Sequence, residues 1–149
     1  EFQKQNSNSI LLIIGDCKEN ISLNSSIIVT GKVDYRLVPY ILKDCDIGIS
    51  TYPLHDRWIV CTPTKVIEYL SVGIPFIVNK EIYDQNELAN NSKAGLSVSY
   101  QKKSFVEGLE NLSSKKYRGE LSKNGKEWIK NNRNYKILSR EVNDFIRNQ

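Results

Sequence analysis

The sequence predicts an α/β domain, a parallel sheet with helices on both faces followed by a run of C-terminal helices. Three observations carry this. Short aliphatic segments recur at Ile10–Ile14, Ile27–Thr30, Ile47–Ser50, Phe76–Asn79 and Gly95–Ser99, each of strand length and most rich in β-branched residues. Between them lie segments with helical spacing of apolar residues, the alternation that builds parallel sheets. From Lys102 onward only helical stripes remain.

Taken in order, Ile10–Ile14 is the longest unbroken aliphatic run and stops at Gly15-Asp16. It is expected to be a strand buried on both faces. Ile27-Ile28-Val29-Thr30 followed by Gly31 repeats the pattern. Asp34 can cap a helix running through Asp44, with Leu37, Val38, Ile41 and Leu42 on one stripe. Pro39 falls inside it and should shift or bend its start. Ile47–Ser50 is the next strand, and Thr51–Cys61 reads as a loop. Thr62-Pro63 then opens a helix to Val72, which Gly73 closes. Pro75 leads into the strand Phe76–Asn79. The polar stretch Lys80–Ser92 contains a short helix near Asp84–Ala89, and Gly95–Ser99 is the last strand. Three helices follow, with stripes at Phe105, Leu109 and Leu112, at Leu121, Trp128 and Ile129, and at Ile137, Leu138, Val142, Phe145 and Ile146. Asn131–Asn134 separates the last two.

The bulk properties narrow the class. A chain of 149 residues makes one domain, residues 1–149. Its 40% hydrophobic and 26% charged residues are a globular balance rather than a disordered one. No apolar run approaches the ~20 residues that a membrane span needs. The polar start, Glu1–Ser9, does not have the form of a signal peptide. The 3 cysteines, Cys17, Cys45 and Cys61, match no zinc spacing, and His55 is the 1 histidine. Cys45, beside a strand, is expected to be a small buried hydrophobe. Reduced thiols point to the cytoplasm.

The net charge of +4 is unevenly spread, with 12 Lys/Arg against 6 Asp/Glu in residues 101–149. Solvated helix faces account for this. So would a tail that leans on an anionic surface, such as the inner face of a membrane. Nucleic acid is not an expected partner, because the basic residues are scattered along helices without an aromatic stacking platform.

In open parallel sheets, ligands bind where strand carboxyl ends meet helix amino ends. That rule selects Gly15-Asp16, Gly31-Lys32-Val33 and the loop from Ser50 to Thr64. The segment Thr62-Pro63-Thr64-Lys65-Val66-Ile67-Glu68 is the most informative. With Thr62 as N-cap and Pro63 in the first turn, the N–H groups of Thr64, Lys65 and Val66 point out of the helix end and form an anion site. Lys65 adds a mobile positive charge. Thr64 and Glu68 lie one turn apart on one face, with Val66, Ile67 and Leu70 on the core side. A carboxylate so placed can bridge the two hydroxyls of a ribose. The same spacing also fits a plain capped helix with a solvent-facing Glu.

The run Pro63-Thr64-Lys65-Val66-Ile67-Glu68-Tyr69-Leu70-Ser71-Val72-Gly73-Ile74-Pro75-Phe76-Ile77-Val78 resembles the signature of the C-terminal, nucleotide-sugar-binding domain of GT-B-fold glycosyltransferases of the glycosyl transferases group 1 type. Val29-Thr30-Gly31-Lys32-Val33, Asp46-Ile47-Gly48-Ile49-Ser50 and Ala94-Gly95-Leu96-Ser97-Val98 match the same pattern in order, from about Leu11 to Val142. The resemblance implies a Rossmann-like sheet and transfer of a hexose from a UDP- or GDP-sugar, mostly with retention and without a metal or other cofactor. It implies that Glu68 binds the ribose, that Thr62, Thr64 and Lys65 lie near the donor phosphates, and that Gly31, Lys32 and Val33 turn their backbone to the base. No catalytic residue is placed. His55-Asp56 lacks a nucleophile partner, and Trp58 either packs its loop down or touches the donor sugar.

Two departures stand out. Many relatives carry a sugar-contacting glutamate eight positions before the ribose glutamate, where this chain has Val60. The family's domain also begins with a strand, an Arg-bearing turn and a Lys-bearing helix that grips the diphosphate, and these do not precede Ile10. The resemblance therefore implies a fragment that lacks this first β–α unit and the N-terminal acceptor domain. The sheet is then expected either to leave a gap between Ile10–Ile14 and Ile47–Ser50 or to close it by direct pairing. The rival readings are a non-catalytic α/β nucleotide-binding or interaction module, favoured by Val60, and half of a sugar-nucleotide epimerase.

Overall fold

The computed structural model describes residues 1–17, 25–59 and 64–148. Among them, parallel strands fall into two groups. β1 (Leu11–Ile13) pairs with β2 (Ile27–Val29), while β3 (Gly48–Ser50), β4 (Phe76–Asn79) and β5 (Gly95–Val98) form a sheet in that order. β1 and β3 are not hydrogen-bonded to each other, so the sheet has the gap that was one of its two expected forms. The gap is visible in the backbone directions. The Gly48 N–H donates to the Pro75 carbonyl at 2.8 Å. Backbone groups alternate sides along a strand, so the N–H and carbonyl of Ile49 point to the other edge. The Tyr69 hydroxyl donates to that Ile49 carbonyl at 2.9 Å.

The three-stranded sheet is covered on both faces. Phe76, Ile77 and Val78 alternate sides along β4, and all are fully buried. One face takes Phe76 and Val78 with Val66, Leu70 and Leu88, from α4 (Thr64–Val72) and α5 (Tyr83–Ser92). The other takes Ile77 with Leu112 and Leu121, joined by Phe105 and Leu109 of α6 (Lys102–Asn111). Gly48 is required at its position: a Cβ there would lie 2.6 Å from the Tyr69 ring. Below the carboxyl end of the sheet, buried Gln85 donates to the Ser50 hydroxyl at 3.0 Å.

Several expectations are corrected. The strand at Ile10–Ile14 is not buried on both faces: it shortens to Leu11–Ile13, with Ile10 and Leu11 exposed and Leu12 and Ile13 half-buried. The helix expected from Asp34 begins later, as α2 (Val38–Lys43), with Pro39 in its first turn. Proline fits that turn and not the second, so it sets the start. Asp34 does not cap α2. Its carboxylate accepts from the Arg36 backbone N–H at 2.9 Å and pairs with the Arg36 guanidinium. The loop after β3 contains a helical turn, α3 (Asp56–Ile59). α5 extends beyond Asp84–Ala89 and ends on Lys93 in the left-handed conformation, φ 49°. Cys45 is half-buried against the core rather than enclosed, and burial beside Asp44 and Asp46 pushes its thiol pKa up. The polar start holds a short helix, α1 (Phe2–Gln5), and Gln3 donates to the Ser26 carbonyl at 2.9 Å.

Two helices complete the chain. α7 (Lys115–Asn132) packs on α4 through Trp128 and Ile129. Asn134 caps α8 (Tyr135–Arg147) by accepting from the Ile137 N–H at 3.0 Å. On α8, Ile137 and Leu138 are half-buried while Val142, Phe145 and Ile146 are exposed. No described helix is long and apolar enough to cross a membrane.

Candidate functional site

The site is built on α4. Its sequence places Val66, Tyr69 and Leu70 in the core and leaves Thr64, Lys65 and Glu68 exposed on the opposite side. Glu68 follows Thr64 by one turn, so the exposed face carries a helix start and a carboxylate in line. The first N–H groups of a helix have no intrahelical partner and attract anions. Gly73 ends the helix with φ 78°. Thr62 and the capping role expected of it lie outside the described residues, as do Val60, Cys61 and Pro63.

Beside the start of α4, the loop after β3 is pinned to the sheet. Asn79, fully buried at the end of β4, accepts from the Tyr52 N–H at 3.0 Å and donates to the Tyr52 carbonyl at 3.3 Å. The Tyr52 ring stacks with Trp58 of α3, centroids 5.1 Å apart and planes at 29°. The Lys65 ammonium lies 5.4 Å from the same Tyr52 ring, a cation–π contact. In the same loop, His55 Nδ1 accepts from the Arg57 N–H at 3.2 Å.

The second part of the site lies at the carboxyl ends of β1 and β2. Gly31 has φ 67°, in the left-handed region, and forms an antiparallel bridge with Gly15. The Gly15 N–H donates to the Thr30 hydroxyl at 3.2 Å, and that hydroxyl donates to the Gly31 carbonyl at 2.9 Å. Lys32 is exposed and Val33 half-buried. The structure thus gathers Gly31, Lys32 and Val33 with Gly15 and Asp16, and gathers Thr64, Lys65 and Glu68 with Tyr52 and Trp58. The two groups stand on separate strand pairings, and α2 packs on α4 between them in sequence.

Tyr69 supports the site from below. Burial, reinforced by the Glu68 charge, pushes its pKa up to about 12. Its hydroxyl donates to the Ile49 carbonyl. Sequence reasoning did not single out Tyr69, or the Asn79–Tyr52 latch, which joins residues 27 apart. One signal was available: a polar Asn ending an otherwise aliphatic strand needs buried partners.

A parallel sheet with helices on both faces, carrying its exposed polar groups along the strands' carboxyl edge, defines a Rossmann-like α/β protein. The chain belongs to a particular family of that class, the glycosyl transferases group 1, which matches residues 1–135. Its fold is similar to the crystal structure of WaaG, a glycosyltransferase involved in lipopolysaccharide biosynthesis, with a TM-score of 0.74 at 13% sequence identity. The likeness covers 93% of this chain and 38% of that chain. No curated protein matches. The family favours a transferase over the epimerase and the non-catalytic module.

Proposed function

We propose that this chain is the donor-binding half of a glycosyltransferase that, in a longer protein, moves a hexose from a UDP- or GDP-sugar to an acceptor with retention of configuration. Glu68 accepts hydrogen bonds from the ribose hydroxyls. Thr64, Lys65 and the start of α4, with Thr62 as its cap, hold the phosphates. Gly31, Lys32 and Val33 turn their backbone to the base. Such an enzyme works by positioning the donor and stabilising the leaving diphosphate, and, as the family resemblance implies, we read it as doing so without a metal ion or other cofactor.

The observation that carries this reading is the exposed line Thr64–Lys65–Glu68 on a helix that begins past the carboxyl end of a parallel sheet. A further parallel strand from the same protein packs at the β3 edge away from β4, and that protein's N-terminal domain binds the acceptor. The protein works in the cytoplasm, at the inner membrane face, without nucleic acid. The 149-residue chain alone does not transfer sugar. The test is transfer from labelled UDP- and GDP-hexoses by the parent protein and by its Glu68→Ala variant. Activity is expected in the first and a loss of tenfold or more in the second. Equal rates would refute the assignment.

A further inference from the structure

The loop after β3 ends in an aromatic surface that the nucleotide reading leaves unused. Tyr52 and Trp58 stack, and the Tyr52 backbone is held at both its N–H and its carbonyl by Asn79, which is fully buried. Trp58 keeps 39% of its surface exposed. A large aromatic ring fixed in place and still open to solvent costs little conformational entropy when it binds a ligand.

The order of groups along the site indicates what that ligand is. Glu68 stands one turn into α4, the helix start with Thr64 and Lys65 comes before it, and the Tyr52 ring lies at the tip of Lys65, with Trp58 stacked on it. A nucleotide sugar has the same linear order of ribose, diphosphate and sugar. With ribose at Glu68 and diphosphate at the helix start, the next group outward is the sugar, and it arrives at the aromatic pair. One face of a pyranose presents C–H groups, which pack on an aromatic ring while the hydroxyls stay free to hydrogen-bond.

We propose that Trp58, backed by Tyr52, is the stacking platform for the donor's sugar ring and sets donor-sugar specificity. This rests on the nucleotide reading above. Trp58 contributes to the sugar and not to the nucleotide. His55, whose Nδ1 accepts from the Arg57 N–H, carries its proton on Nε2 when neutral and offers a donor to a sugar hydroxyl.

The test is an NMR titration of the parent protein with UDP, GDP, UDP-glucose, UDP-N-acetylglucosamine and GDP-mannose. Wild type is compared with Trp58→Ala, Trp58→Phe and Glu68→Ala, all checked for folding by their amide spectra. The quantity read is the ratio of Kd for the nucleoside diphosphate to Kd for its sugar conjugate. Trp58→Ala is expected to lower that ratio about tenfold, equivalent to ~1.4 kcal/mol, and to leave the diphosphate Kd within about twofold. Trp58→Phe should keep most of the ratio. In wild type, sugar conjugates should shift the Trp58 indole N–H resonance, and the bare diphosphates should not. An unchanged ratio in Trp58→Ala would overturn the proposal, as would equal weakening of both ligands, which would mean that Trp58 only holds the loop or stacks the base. Loss of diphosphate binding in Glu68→Ala with an intact Trp58 effect would support both readings. Absence of binding by any probe to wild type would overturn the nucleotide reading and this inference with it.

Discussion

The same kind of aliphatic segment has two different fates in this molecule. In β4, Phe76, Ile77 and Val78 are fully buried, because α4 and α5 cover one face and α6 the other. In β1 and β2, Leu11 and Ile28 stay exposed, at 37% and 46%. An aliphatic run therefore reports what a strand needs around it and not what surrounds it. The difference is one of cover: among the described residues, helices pack on both faces of β4, whereas Leu11 and Ile28 keep much of their surface open. The candidate site spans both regions, with Gly31, Lys32 and Val33 on the open side and Thr64, Lys65 and Glu68 on the covered side.

The sharpest way to break this comparison is to truncate one residue in each half. Ile77→Ala should cost about 2–5 kcal/mol, the range for a buried large aliphatic residue. Ile28→Ala should cost less than about 1 kcal/mol, because it is already half in water. Urea unfolding of both variants measures this, and similar losses would mean that the two halves are equally packed.

A second test uses alkaline pH on the covered half. Tyr69 titrates at about 12 in the fold against 10.0 for an unperturbed tyrosine. Between these values the unfolded chain loses the phenolic proton while the fold retains it, so stability falls as pH rises. The contribution is fully present below pH 10 and amounts to at most about 2–3 kcal/mol. Thermal unfolding from pH 9 to 12 should show that fall, and Tyr69→Phe should flatten it. A Tyr69→Phe profile parallel to wild type would contradict the account.

The latch between sheet and loop comes next. Asn79→Leu removes both of the bonds that the buried amide makes to the Tyr52 backbone, for an expected loss of about 1–3 kcal/mol. Amide exchange in residues 52–59 should speed up more than in β5. Thr30→Val is the smallest change. It removes an exposed bond to Gly15 and should cost no more than about 1 kcal/mol by urea unfolding. A loss as large as that of Asn79→Leu would erase the distinction between the halves.

Much of this architecture was legible because its punctuation is local. Gly73 and Pro75 mark the passage from α4 to β4, and the residues facing the core on α4 follow from their spacing. The carboxyl-edge rule points from the sequence alone to Gly31 and to the α4 start. What was not legible depends on distant partners. α3 carries no periodic signal within Thr51–Cys61. Tyr69 needs Gly48 opposite it, and Tyr52 needs Asn79 from another strand. Asp34 looked like a helix cap, but Pro39 delayed the helix and left Asp34 to Arg36. The burial of β1 was over-read because its aliphatic run specifies a strand without naming its neighbours.

The central claim is that Glu68 holds a ribose. Calorimetric titration of UDP and GDP into the parent protein, its Glu68→Ala variant and its Lys65→Ala variant tests it most directly. Removal of hydrogen bonds to a charged carboxylate should cost about 1.5–3 kcal/mol, or roughly 10- to 150-fold in Kd. That loss should persist as salt rises, because it rests on short-range bonds. The Lys65→Ala loss should shrink with salt, because it rests on charge. Both variants should keep the fold, since neither side chain is in the core. Unchanged affinity for the preferred nucleotide in folded Glu68→Ala protein would contradict the account.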